Sequence, residues 1–510
     1  MKRLTHDVLF NSKYLSKDLA RKSIHGGMTI MTAQVIKFVL DTAGTVVLAR
    51  LLTPEDFGLI VMVTVVVGFA AMFKDAGLSM ATIQKDSISH EQISTLFWIN
   101  IILSTFLGVC VLAASPLVAK FYGRPELTAV TVVLSVSFII KGLIIQHTSL
   151  LRRHMKFRAL AVIQITSQII SLVVKIVLAL LGWRYWALVG GSITTALTIA
   201  LLTLFLCPWV PGKMERGAGV RDMLKFGGHL TGFSFVNYFA RNLDNMLIGK
   251  YLGSQSLGLY SKAYNLLMLP ISQINQPISA VAVPALSRLQ NEPERYRKYY
   301  LKVLSHMTFI TLPSVMFMIV MSENIILVLL GEQWIKASPI FSVLGISALV
   351  GVVIHTTGWL HISIGRTDRM FKWGAFTSFF IVVSFFIGLP FGAIGVATAY
   401  TIVFLLLSPF TLWYACKPTP VRVTGIITAL WPTIFATLMV GVALGLLKIF
   451  HPNFFVGILG LGVSLVIAVA VYLSVLCVYS RSFEPVRSNI NILTQIFPKR
   501  TNTGKGNKQC

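Results

Sequence analysis

The sequence predicts an all-α polytopic membrane protein of about fourteen transmembrane helices, arranged as two pseudo-symmetric six-helix lobes with an appended helix pair. Three observations carry this. Of 510 residues, 55% are apolar and only 12% charged, and the mean hydropathy is +0.77. The apolar residues form continuous runs of about 20, the length that crosses a bilayer. Lys and Arg, 44 against 18 Asp and Glu, alternate between crowded and sparse loops. A soluble chain would expose large apolar patches, and a disordered one would lack the runs. Barrel strands would alternate apolar and polar residues, which these runs do not.

Along the chain, residues 1–23 have no apolar core and no small-residue cleavage site, so they read as a basic cytoplasmic arm rather than a signal peptide. The first lobe, 24–206, holds spans at about 24–48, 57–80, 92–116, 127–149, 159–181 and 185–206. The second of these starts at Thr53-Pro54-Glu55-Asp56: a capping threonine, a proline suited to the first helical position, and two acids at the positive helix end. These acids need no catalytic role. A basic cytoplasmic linker, 207–225, leads to the second lobe, 226–414, with spans at about 226–249, 257–284, 301–321, 338–359, 371–389 and 392–414. Its polar spans (the seventh, eighth and tenth overall) carry Asn, Gln, His and charge in place of Leu and Val. Between the ninth and tenth, 322–337 suits a short surface helix. The appended pair lies at about 425–447 and 454–478, within 425–478, and a basic cytoplasmic tail, 479–510, follows.

Charge placement checks the count independently. With the N-terminus inside, thirty-two Lys and Arg fall in cytoplasmic segments and seven in outer ones. The other five, Lys37, Lys141, Lys175, Arg241 and Lys262, lie inside or at the edge of spans. A span missed mid-chain would swap the later loops and destroy this bias. The net charge of +26 therefore faces anionic membrane lipid and excludes a nucleic-acid partner. Five scattered cysteines support neither a disulfide framework nor a zinc site. There is no Walker loop, no nucleophile elbow and no metal-spaced His pair. An enzyme, a metal and a cofactor are not expected, and any pumping must draw on an ion gradient or on substrate supply.

An internal repeat organises the lobes. Residues 24–60 and 225–260 share a glycine pair, a polar-studded helix, a loop and a Gly-Leu restart, in that order. Gly26-Gly27 align with Gly227-Gly228, Leu51 with Leu252 and Gly58 with Gly258. The copies lie six spans apart and share one orientation, which suggests two lobes related by an axis along the membrane normal, rocking for alternating access.

Charge at bilayer depth is costly and needs partners or water. Lys37 and Asp41 are four apart on the first span, and Arg241 and Asp244 three apart on the seventh, each pair on one helix face. The repeat aligns Lys37 with Tyr238 and Asp41 with Asn242, so both pairs sit at similar depth. They read either as a cationic cavity floor for an anionic headgroup, with Asp41 and Asp244 open to a coupling cation, or as internal ion pairs. Lys175 has no acid on its own helix and must reach a cavity or a carboxylate elsewhere. Lys262 is a cavity cation or snorkels. His355 is a proton-coupling candidate or a hydrogen-bonded interior residue. Gln273, Asn275 and Gln276, before Pro277, contact sugar hydroxyls or re-satisfy backbone freed by proline.

The segments LARLLTPEDFGLI (48–60), KDAGL (74–78) and LLGEQWIKASPIF (329–341) resemble the polysaccharide-transporter family of bacterial lipid-linked oligosaccharide flippases, most closely its colanic-acid/O-antigen type. The resemblance runs from about 17 to 480. That family belongs to the superfamily of multidrug extrusion proteins and the lipid II flippase. The resemblance implies two six-helix lobes around a central cavity in the inner membrane. It also implies transfer of undecaprenyl-diphosphate-linked sugar units to the periplasmic leaflet. A polyprenyl-diphosphate-linked oligosaccharide is thus the expected partner, with H⁺ or Na⁺ as coupling ion and polysaccharide assembly proteins as candidate companions. Lys37, Lys175 and Arg241 are expected on the diphosphate. A multidrug-type exporter is the alternative, followed by a membrane-embedded glycosyltransferase or polymerase. The first would want an acidic cavity, and the others long outer loops with catalytic acids.

Overall fold

The computed structural model describes residues 19–480 apart from 76, 86–87, 216–220 and 452–456, so most of the basic arm and nearly all of the tail lie outside the described residues. Regular structure among the described residues is entirely helical. The helices are α1 (Leu19–Leu51), α2 (Pro54–Phe73), α3 (Leu78–Gln84), α4 (His90–Tyr122), α5 (Glu126–Gly142), α6 (Ile145–Arg153), α7 (Phe157–Leu180), α8 (Tyr185–Leu206) and α9 (Arg221–Arg288). They continue with α10 (Pro293–Val320), α11 (Ser322–Leu329), α12 (Ser338–Ile354), α13 (Thr357–Ser363), α14 (Thr367–Gly388), α15 (Gly392–Cys416), α16 (Val423–Phe450) and α17 (Gly457–Ser480).

Every expected span overlaps one of these helices, and the chain is a multi-pass membrane protein. The number of separate spans differs from the expected fourteen. Among the described residues eleven helices are long and apolar enough to cross a membrane, or twelve if α5 and α6, bent by 43°, form one span. Two of the eleven, Asn242–Arg288 and Thr367–Cys416, run 47 and 50 residues. That is about twice one crossing. The first is broken at Gly253 (φ 83°), and the second at the 3₁₀ turn Leu389–Phe391.

Contacts group the chain into two compact units: residues up to Ser261 with Leu329–Trp334, and Lys262–Val328 with Ile335 onward. In the first unit α1 packs on α7, α7 on α8, α4 on α5, and α5 on α8, while α2 touches α4, α5 and α8. In the second, α10 packs on α12 and α16, α12 on α15, α14 on α15, and α16 on α17. Numbered as spans, the pairs 3–4, 4–6 and 5–6 of the first unit recur as 9–10, 10–12 and 11–12 in the second. The six-span offset of the repeat therefore reappears in packing well beyond the matched segments.

The start of α2 is tightly knotted. Thr53 and Asp56 form a reciprocal capping box, with Thr53 N donating to Asp56 Oδ2 at 3.0 Å and Asp56 N to Thr53 Oγ1 at 3.3 Å. Pro54 occupies the first turn, as its missing N–H allows. Glu55 and Asp56 are held by Arg124 (3.0 Å to Glu55) and Arg184 (3.4 Å to Asp56). Here the two copies of the repeat meet in a reciprocal crossing. A Cβ on Gly58 would lie 1.8 Å from the Ser254 carbonyl oxygen, and one on Gly258 would lie 1.8 Å from the Pro54 carbonyl oxygen. Residue 54 faces 258 as 58 faces 254, the pattern a two-fold axis produces. Only glycine lets two backbones come this close.

The motif around Gln333-Trp334 serves the same knot. Trp334 is fully buried, lies edge-on to Phe57 and donates from Nε1 to the Ala49 carbonyl at 2.8 Å, while Gln333 reaches Ala49 and Leu52. These are the last carbonyls of α1, which have no helical partner of their own. The expected surface helix over 322–337 is thus α11 and a 3₁₀ turn, Glu332–Ala337, that buries its tryptophan. The linker beginning at 207 is also docked. Trp209 is buried and donates to His90 Nδ1 at 3.2 Å, and Trp98 donates to the Gly212 carbonyl at 2.9 Å.

Candidate functional site

At the opposite end of α2 the first unit holds a half-open cavity of about 550 Å³. Three basic residues line it: Lys74 just after α2, Lys141 in the last turn of α5, and Arg152 in α6. Lys141, Ile145, Thr148 and Arg152 follow one another at steps of three and four, so the bent α5–α6 pair turns one continuous face to the cavity. Gln164 of α7 and Ser192, Thr195 and Thr203 of α8 form the far wall. The lone acid, Asp75, is already engaged, accepting from Ser79 N at 2.9 Å and Ser79 Oγ at 2.8 Å.

The electrostatics are unbalanced. Among the described residues Lys74, Lys141 and Arg152 make no ion pair, and Lys74 and Lys141 are close enough to repel each other. Burial holds the Lys74 ammonium below the ordinary lysine range, with Asp75 acting in the opposite direction. The adjacent Arg153 is used differently. Its guanidinium donates to the carbonyls of Thr82 (2.9 Å) and Lys85 at the end of α3. The hydroxyls of Ser192 and Thr195 donate to the Leu188 and Gly191 carbonyls, each at 2.8 Å. Their lone pairs remain as acceptors. One wall therefore offers charged N–H donors and the other hydroxyl acceptors.

One turn along α7 from Gln164, a second polar cluster lies inside the spans. Gln168 Nε2 donates to Asp41 Oδ1, and Asp41 is within electrostatic reach of both Lys37 and Lys175. Asp41, on α1, is thus the carboxylate whose charge acts on Lys175. Gly191 makes room for it: a Cβ there would sit 2.2 Å from Lys175 Cγ. Ser171 ties the same place together by donating to the Gly191 carbonyl at 2.8 Å.

The other expected residues fall on other elements. The Arg241 side chain lies outside the described residues. Asp244 accepts from Tyr260 Oη at 3.0 Å and from Asn245 N at 2.7 Å. Tyr238, the repeat counterpart of Lys37, donates to the Val65 carbonyl at 2.6 Å, and Asn242 donates to Tyr238 O. Lys262, Gln273, Asn275, Gln276 and His355 belong to the second unit. Lys74 and Arg152 enter the site although the charge census assigned them to cytoplasmic loops. The signal that finds Arg152 is the 141–152 spacing, eleven residues or about three helical turns, whereas nothing local marks Lys74.

Comparison with known proteins agrees with this architecture. Residues 47–339 match the family model described as polysaccharide biosynthesis protein. The lipopolysaccharide biosynthesis protein WzxC of Escherichia coli (strain K12) is 28% identical, over 78% of this chain and 82% of its own. The teichuronic acid biosynthesis protein TuaB of Bacillus subtilis (strain 168) is 28% identical, over 66% of this chain and 70% of its own. Among solved structures, the lipid II flippase MurJ in an inward closed conformation superposes with a TM-score of 0.70, covering 88% of this chain and 98% of that one at 16% identity. That last likeness concerns the fold, while the family match spans more than half the sequence, and on it the chain belongs to the polysaccharide biosynthesis protein family.

Proposed function

We propose that this protein moves a polyprenyl-diphosphate-linked oligosaccharide across the bacterial inner membrane by alternating access, with both termini in the cytoplasm and fourteen crossings in two six-helix lobes and an appended pair. The observation that carries this reading is a cationic, hydroxyl-lined interior in a multi-pass member of a polysaccharide biosynthesis family. A diphosphate cannot enter hydrocarbon alone, and lysine and arginine in a solvated chamber compensate it. A cationic drug would meet repulsion there, which disfavours the multidrug reading. The recurring contact pattern supports the lobes, and the α16–α17 pair, packed on α10, is the candidate groove for the lipid tail.

In this reading Lys37 and Lys175 hold the diphosphate at mid-depth, Arg241 adds charge from the second copy of the repeat, and Lys262 adds charge from the span that follows it. Asp41 is assigned to the coupling cation. When H⁺ or Na⁺ neutralises its carboxylate, both lysines lose their internal counter-charge and turn to the substrate. Asp244 and His355 are the further candidates for that coupling, and Gln273, Asn275 and Gln276 for sugar contacts. The chain transports and does not itself make or break bonds.

The test is a deletion strain. Its accumulated lipid-linked intermediate is identified by mass, and its leaflet by accessibility to an external glycosidase. Complete repeat units retained in the cytoplasmic leaflet are the expected result. Single units accumulating in the periplasmic leaflet would assign polymerisation instead, and unchanged glycan lipids would end the reading.

A further inference from the structure

The cavity at the end of α2 differs from the mid-span cluster in one respect. Asp41 lies within electrostatic reach of Lys37 and Lys175, whereas the cavity sets Lys74, Lys141 and the exposed Arg152 against the single carboxylate of Asp75, which leaves it with an excess of two positive charges. Cations gathered around open space repel one another unless an anion joins them. The contrast with Arg153 shows that this is not a shortage of local acceptors, because the neighbouring guanidinium found three carbonyls. The far wall then adds direction. The lone pairs of Ser192 and Thr195 suit hydroxyl donors rather than phosphate oxygens. A volume of about 550 Å³ lies within the range of small-molecule sites.

We propose that this cavity is a loading site for a diphosphate-linked sugar, distinct from the mid-span cluster. The diphosphate rests on Lys74, Lys141 and Arg152, and the first sugar ring lies against Gln164, Ser192 and Thr195. Gln164 and Gln168 are one turn apart on α7, a rise of about 6 Å. The headgroup thus passes from the cavity cations to the Lys175–Asp41 cluster along a single helix face. Loading selects the ligand, and the mid-span cluster carries it. The proposal rests on the transport reading for the direction of passage, but binding at the cavity does not depend on it.

The experiment uses the full-length protein in nanodiscs of zwitterionic lipid. Two probes are titrated, inorganic pyrophosphate and a monosaccharide linked through diphosphate to a short prenyl chain. Wild type is expected to bind both, the sugar-linked probe more tightly. Lys141→Gln with Arg152→Gln should weaken both by at least about tenfold. Ser192→Ala with Thr195→Val should weaken only the sugar-linked probe. Thermal melting reports folding for each variant, and Lys141→Arg should restore binding if the glutamine variant melts early. Replacing half the lipid with phosphatidylglycerol separates the sources of phosphate. If it abolishes pyrophosphate binding and wild type shows no preference for the sugar-linked probe, the cavity is a lipid-headgroup site and the proposal is overturned. Wild-type affinity in well-folded Lys141/Arg152 variants also overturns it. If those variants still flip substrate normally, the transport reading survives and only the loading site is lost.

Discussion

The two ends of α2 solve opposite problems. Its 20 residues span about 30 Å. At the first end Glu55 and Asp56 are ion-paired with Arg124 and Arg184, two backbones touch through Gly58 and Gly258, and a buried tryptophan caps the preceding helix. At the last end three cations surround an open cavity. The lesson is that one helix can be a fixed axle at one end and a functional wall at the other. At these two ends, paired charge holds the fold and unpaired charge lines the cavity.

The largest effect is expected at the knot. Gly258→Ala places a Cβ 1.8 Å from the Pro54 carbonyl oxygen, and backbone cannot rotate aside as a side chain can. Overpacking of this kind costs about 3 kcal/mol or more. Little folded protein should survive purification, and Gly58→Ala should match it because the crossing is reciprocal. Thr195→Val in the cavity wall should give a normal yield. Equal yields from all three, measured by size-exclusion chromatography, would erase the difference between the ends.

Next is the mid-span cluster. Asp41→Asn removes the carboxylate that Lys37 and Lys175 share, and because all three groups are only half-buried the loss should be about 1–2 kcal/mol. Adding Lys175→Gln should recover part of the melting temperature, because the double variant holds one unmatched ammonium, that of Lys37, instead of two. No recovery would mean that Asp41 stabilises through Gln168 alone.

Much of this was legible in the sequence, and the limits have physical causes. The cap at Thr53–Asp56 was readable because capping couples residues three apart. The alignment of Gly58 with Gly258 was readable as a repeat, but their meeting was not, since contact across 200 positions leaves no local pattern. For Lys175 the sequence offered a cavity or a carboxylate on another helix, and could not single out Asp41. The cavity was hidden for a different reason. Topology and anion binding both recruit lysine and arginine, so Lys74 and Arg152 looked like loop charges. Arg152 and Arg153 differ by one residue, about 100° around the helix, and only that angle separates a cavity wall from a cap on α3. Glycine-broken α9 shows a similar limit, because runs of apolar residue do not reveal how many times a bent helix crosses.

Thr53→Ala removes the capping box and should lower stability by about 1 kcal/mol. The loss should appear in the melting temperature and leave pyrophosphate affinity untouched, since the cap stands at the far end of α2 from the cavity. A change in affinity would couple the two ends and blur the contrast between them.

The smallest effect carries the opposite sign. Lys141→Gln removes a partly buried cation that repels Lys74, so the folded protein should gain a few tenths to about 1 kcal/mol while losing anion affinity. At the knot any neutralisation costs stability, so the sign alone distinguishes the ends. Added pyrophosphate should narrow the gap, because it stabilises wild type by mass action and the variant hardly at all. A melting temperature that falls on Lys141→Gln, and is not rescued by Lys141→Arg, would show the lysine to be a structural strut. The cavity would then differ from the knot only in having more empty space.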